Sequence, residues 1–133
     1  MKMSVPSPQT ESAIAGQRRL PRARAAYTVS FQLGGAEGTL TAGAHPDGQL
    51  GEIFLRLGKQ GSTLGGLTDA FSTATSLALQ HGVPLEQITE PLSGTRFGPA
   101  GLTGDDDIPE ATSIVDYVAR RLAADFPRAD PTV

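Results

Sequence analysis

The 133 residues contain no cysteine, no tryptophan and only two histidines. Without cysteine the chain can form no disulfide scaffold, thiolate zinc site or iron–sulfur cluster. A cysteine nucleophile and thiyl-radical or dithiol chemistry are excluded for the same reason. His45 and His81 by themselves fall short of a protein zinc set. Aromatic residues are sparse, at 5%. No apolar run approaches the roughly 18 residues that a membrane helix needs. No hydrophobic stretch follows Lys2, so the start of the chain does not read as a secretory signal, and a cytoplasmic protein is expected.

What remains is enough for one domain with a core, since 38% of the residues are hydrophobic. Sixteen glycines and ten prolines make the chain turn-rich. Together they stay below the roughly 25–30% that signals disorder throughout. Charge is uneven. Residues 1–25 hold Lys2, Arg18, Arg19, Arg22 and Arg24 against Glu11, a net of +4, which leaves −7 of the total −3 on the rest. A weakly acidic body argues against nucleic acid as a main partner. The basic head, mixed with Pro and Ala, reads as a solvated linker.

Residues 1–17 show no apolar period and read as a flexible leader, with a domain at 18–127 and a polar tail at 128–133. Residues 27–33 alternate Tyr27, Val29, Phe31 and Leu33 with polar residues, which predicts a half-buried strand. Residues 37–44 and 50–57 predict two more strands. The turn His45-Pro46-Asp47-Gly48 joins them into an antiparallel meander. Leu64, Leu67, Phe71, Ala74, Leu77 and Ala78 then recur at helical spacing through residue 80, with Ser62 or Thr63 as N-cap. The small residues of this helix would let another element come close. Pro84 opens a short helix through about Leu92. Residues 93–106 read as a long loop with Phe97 as a peg into the core. Asp107-Ile108-Pro109-Glu110 reads as the start of a third helix, with Asp107 as N-cap and Glu110 in the capping-box position. Ile114, Val118, Leu122 and Phe126 mark its inner face. Three strands followed by three helices predict an α+β fold with the helices on one face of the sheet.

Few residues carry chemistry. Lys59-Gln60-Gly61-Ser62-Thr63 precedes a helix, so Lys59, Gly61, Ser62 and Thr63 could hold a phosphate or carboxylate. The order is not that of a P-loop, and a plain Ser/Thr cap after a glycine turn explains the same residues. Arg96 could clamp an anion or order its own loop. Asp105, Asp106 and Asp107 lack calcium-loop spacing and read as solvated charge plus an N-cap. Glu52, Asp69 and His81 are weak candidates for a general base, with no nucleophile beside them. No metal set is assigned.

Several segments are familiar in order and spacing. They are Arg19-Leu20-Pro21, Gly51-Glu52-Ile53-Phe54, Lys59 to Leu67, Ser76 to Leu85, Thr95 to Gly101, and Ile108-Pro109 through Ser113-Ile114-Val115-Asp116-Tyr117. Over about residues 18–126 the chain resembles the C-terminal region of adenosylcobalamin-dependent (class II) ribonucleotide reductases, the TSCPD domain family. The resemblance implies a domain attached to an enzyme whose own chemistry uses a ten-stranded barrel, a radical cysteine, a reducing cysteine pair and a cobalamin site. It also implies a cysteine-rich tail, where this chain reads Ala129-Asp130-Pro131-Thr132-Val133. No catalytic residue carries over. The expectation is a free-standing, non-catalytic accessory, binding or regulatory module without a cofactor of its own. Cobalamin would enter only through a full-length reductase. Its partner would be a reductase-like protein, a second copy, or a nucleotide or phosphate ligand. The rival expectations are a small biosynthetic enzyme and a homo-oligomeric structural subunit.

Overall fold

The computed structural model describes residues 16–127. The expected tail at 128–133, and the expected leader up to residue 15, lie outside the described residues. Strands β1 (Ala26–Leu33), β2 (Ala36–Ala44) and β3 (Leu50–Leu57) form one antiparallel sheet in that order. Their period of two sends Phe31, Leu33, Leu40, Ala42, Ile53, Leu55 and Leu57 into the core. The other face stays open to solvent. There Thr28 and Thr41 share a hydroxyl hydrogen bond of 2.8 Å, and Phe54 is 54% exposed. The turn between β2 and β3 closes through His45 N to Gln49 O and Gly48 N to His45 O, both 2.8 Å, with Gly48 at φ +89°.

Helix α1 (Thr63–Gln80) follows, then α2 (Leu85–Leu92), a hairpin of β4 (Gly101–Asp105) and β5 (Ile108–Ala111), and α3 (Ile114–Asp125). Helix α3 covers the core face of the sheet with Ile114, Tyr117, Val118 and Leu122, and the rings of Phe31 and Tyr117 lie 4.4 Å apart. Helix α2 packs on α3. The fold is therefore α+β with three helices and a three-stranded sheet, as expected, plus a second two-stranded sheet that the sequence reading missed.

Two expectations are corrected. The segment Asp107–Glu110 is not a helix start. Ile108 pairs with Asp105 across a tight hairpin, with Gly104 at φ +73°, and Thr103 Oγ1 bonds Ile108 O. The helix begins after Ser113, whose hydroxyl accepts from Asp116 N at 3.0 Å. Three of the four residues that read as a capping box therefore lie in β5, and Asp107 lies in the turn, because pairing with 101–105 satisfies the backbone first.

The inner face of α1 is also not the apolar stripe. Thr68, Ser72 and Thr75 are the buried residues, flanked by the partly buried Leu64, Phe71 and Leu79, while Leu67 and Leu77 are 63% and 45% exposed. The cause is the edge of β3, whose outward backbone groups have no fourth strand to pair with. Ser72 Oγ accepts from Leu55 N and Ser76 Oγ from Ile53 N, both at 2.9 Å. Gln80 Nε2 donates to Gly51 O at 3.1 Å. Helical spacing of four thus places one polar side chain beside every second residue of the strand.

Candidate functional site

The Lys59–Thr63 loop is a tight cap. Ser62 N and Ser62 Oγ both donate to Lys59 O, at 3.0 and 2.5 Å, and Gly65 N donates to Ser62 Oγ at 3.0 Å. These bonds take up donors that an anion would need. Lys59, Gly61, Ser62 and Thr63 are all exposed. Arg96 is exposed on the distant-in-sequence loop before β4, and among the described residues no hydrogen bond, ion pair or shared cavity joins it to Lys59–Thr63. Phe97 is not a core peg, being 42% exposed. The loop is held instead by backbone and Asp116. Gly94 N and Thr112 N donate to the two Asp116 carboxylate oxygens at 2.7 and 3.0 Å, and Phe97 N donates to Thr112 O at 3.1 Å.

Glu52 and Asp69 do line one groove, of about 400 Å³, between β3 and α1, together with Phe54, Arg56, Thr73 and Leu77. They share no hydrogen bond with each other. Arg24 Nε and Nη2 grip the two Glu52 oxygens, which leaves that carboxylate poorly placed to take a proton from a substrate. His81 does not line this groove; it caps α1, with Nδ1 2.9 Å from Leu77 O. The structure therefore brings two of the three weak base candidates together and commits one of them to an ion pair. Arg18 of the basic head is likewise engaged: it pairs with Asp47 at 3.0 Å, and Gln17 and Arg18 both bond Gln80.

The densest polar cluster was not read from the sequence. Arg121, 11% exposed, binds Asp105 at 3.0 Å, Asp107 at 3.2 Å and Asp125 at 2.6 Å. Tyr117 donates to Asp105 at 2.7 Å, and Tyr27 donates to Asp125. Burial pushes the Asp105 carboxyl up, but the Tyr117 and Arg121 bonds outweigh it and hold it below its ordinary value. Burial and the bond to Asp105 push the Tyr117 hydroxyl well up. Asp105 is thus a buried anchor, not solvated charge. The available signal was Arg121-x-x-x-Asp125 on one helix face, which pairs charges at i, i+4. Among the described residues no three His, Cys, Asp or Glu side chains converge as a metal set. His45 is buried against Gly51, and burial followed by Arg18 lowers its pKa.

Such a fold, with open grooves along its sheet, defines a small α+β module. The chain belongs to the TSCPD domain family, whose model matches residues 13–126. It is 56% identical over 110 residues, 83% of its length, to a vitamin B12-dependent ribonucleotide reductase of Streptantibioticus cattleyicolor, of which the match is 18%. The corresponding reductase of Streptomyces avermitilis is also 56% identical, over 11% of its length. That of Rhodopirellula baltica is 49% identical, again over 11%. The chain thus spans less than a fifth of these curated relatives. No solved structure matches it.

Proposed function

We propose that this domain is a non-catalytic accessory module that acts in the cytoplasm on a vitamin B12-dependent ribonucleotide reductase, by binding it and modulating its turnover. One observation carries this reading: a 110-residue stretch, 56% identical, recurs inside reductases many times its length. The side chains agree with it. These 133 residues contain no cysteine, so any thiol step belongs to the partner. Of the three weak base candidates, Glu52 is held by Arg24 and His81 by Leu77 O, while Asp69 lies exposed in the open groove. The module itself uses no cofactor; cobalamin belongs to the reductase. Lys59–Thr63 and Arg96 are assigned no common ligand.

The test mixes the purified chain with the purified B12-dependent reductase of the same organism. Complex formation is read by sedimentation and turnover by product formation. A complex together with a changed turnover is expected. No complex and unchanged turnover would overturn the proposal.

A further inference from the structure

His45 stands in the turn between β2 and β3, yet it is only 4% exposed. Its backbone is fixed there by Gln49 O and Gly48 N. Its ring lies against the start of β3. A Cβ placed on Gly51 would come 2.6 Å from His45 Nε2 and 3.0 Å from Leu20 Cδ1. The imidazole edge and the Leu20 side chain therefore close over the same point. Among the described residues neither ring nitrogen has a hydrogen-bond partner. An imidazolium carries two N–H donors, and beneath Leu20 they would find no protein acceptor.

Residues 17–20 form a strap across this spot. Gln17 Nε2 donates to Gln80 Oε1 at 2.9 Å, and Arg18 N donates to Gln80 O at 2.6 Å. The Arg18 guanidinium reaches the turn itself, at Gln49 Oε1 (3.2 Å) and Asp47 Oδ2 (3.0 Å). Arg24, bound to Glu52 and to Pro21 O, anchors the base of the strap. We propose that His45 is a proton-sensitive latch: with a neutral ring the strap closes over the turn, and protonation of the ring releases it.

The groups around the ring set the direction. Arg18 in the strap opposes an imidazolium. Asp47 in the turn and Glu52 on β3 favour one, but Asp47 is taken up by Arg18 and Gln49 N, and Glu52 by Arg24. From α1 comes the neutral Gln80, which donates to Gly51 O at 3.1 Å. Burial first, and Arg18 second, hold the His45 pKa below its ordinary value. A ring that is hard to protonate when covered takes up its proton in the open state. Opening is therefore favoured as pH falls below the open-state value of about 6.5, by up to about tenfold per pH unit. The gain levels off below the covered value. Release frees the Arg18 guanidinium and Leu20 together, so acid turns a closed end of the domain into a free cationic arm. This inference does not depend on the reductase reading.

Nitrogen and proton NMR of the full chain, taken from about pH 8 to pH 5, reads ring and strap separately. The His45 ring titrates below about 6.5, and over the same range the order parameter of the Arg18 amide falls from about 0.85 toward 0.6 while the α3 amides keep their positions. Leu20→Ala uncovers the ring and moves its titration up toward the ordinary value. His45→Gln, with His81 still present, keeps the strap ordered through the whole range. A parent ring that titrates at or above about 6.5 would overturn the latch, as would a strap that stays ordered through that titration. So would a strap that opens at the same pH in His45→Gln, or a ring whose titration is unmoved by Leu20→Ala. Loss of the α3 amides together with the strap would show unfolding of the whole domain in place of a local release.

Discussion

The Ser72 hydroxyl accepts the Leu55 backbone N–H at 2.9 Å while donating its own proton to Thr68 O at 2.8 Å. One short side chain thus satisfies its own helix and the edge of the neighbouring strand. A fourth strand would do the same work with backbone groups. Ser76, one turn later, serves the strand alone, accepting from Ile53 N and donating to Ile53 O. Ser72→Ala leaves a buried N–H without an acceptor and is expected to cost about 1–3 kcal/mol in urea unfolding. Thr73→Ala, whose exposed hydroxyl bonds only Asp69 O in its own helix, should stay within about 0.5 kcal/mol. Equal losses at the two positions would refute the edge-capping role.

Arg121 holds three carboxylates while only 11% exposed. Its removal strands Asp105 and Asp125 in a poorly solvated site. Arg121→Ala should lower stability by about 3 kcal/mol or more, in line with breaking a buried pair by removing one partner. Arg121→Lys should recover only part of this, since a point charge cannot reproduce the fork that grips Asp125 through Nε and Nη2. Full recovery with lysine would show that charge alone suffices.

Acid should unfold the protein through Asp105 and Asp116. In each, burial raises the carboxyl, but hydrogen bonds win and the folded pKa is lowered: Tyr117 and Arg121 at Asp105, Thr112 N, Gly94 N and Arg120 at Asp116. A lowered folded pKa gives stability that is complete above the unfolded value, about 3.9. It is lost as pH falls through the folded value. The urea midpoint should therefore drop between about pH 5 and pH 2. Asp116→Asn should start lower at neutral pH and decline less steeply; an unchanged acid slope would remove Asp116 from the account.

Two glycines of β2 should respond differently to alanine. A Cβ at Gly38 would lie 2.6 Å from the Phe31 ring and 2.7 Å from Arg56 O. The ring is held by Tyr117 and the carbonyl by its strand, so neither yields cheaply, and a loss of about 1–3 kcal/mol is expected. A Cβ at Gly43 would lie 2.5 Å from a Glu52 carboxylate oxygen, the movable tip of a side chain. Gly43→Ala should release the Arg24 pair at a cost of about 1 kcal/mol or less. Thermal unfolding of the two variants checks the order.

The alternation in 27–33 and 50–57 and the cap at Ser62 could be read directly, because period and capping depend on neighbours in sequence. Asp107–Glu110 misled because a capping box describes the preference of its own four residues, while strand pairing with 101–105 is decided by partners three to ten positions away. Glu52 and Asp69 could be named as carboxylates but not placed in one groove, since that follows from how α1 lies along β3. The Arg121 cluster escaped notice for the same reason: Tyr27, Asp105 and Asp125 meet only after the sheet, hairpin and helix have closed on one another.

By itself the sequence determined the strands of the first sheet, the extent of α1, the absence of thiol chemistry and the family resemblance. The tertiary structure alone decided which side of α1 faces inward. Local periodicity ranks side chains by hydrophobicity, and on that ranking the leucines of α1 belong inside. Backbone groups at a sheet edge must still be satisfied, and that requirement turned the serines inward and left Leu67 and Leu77 in solvent.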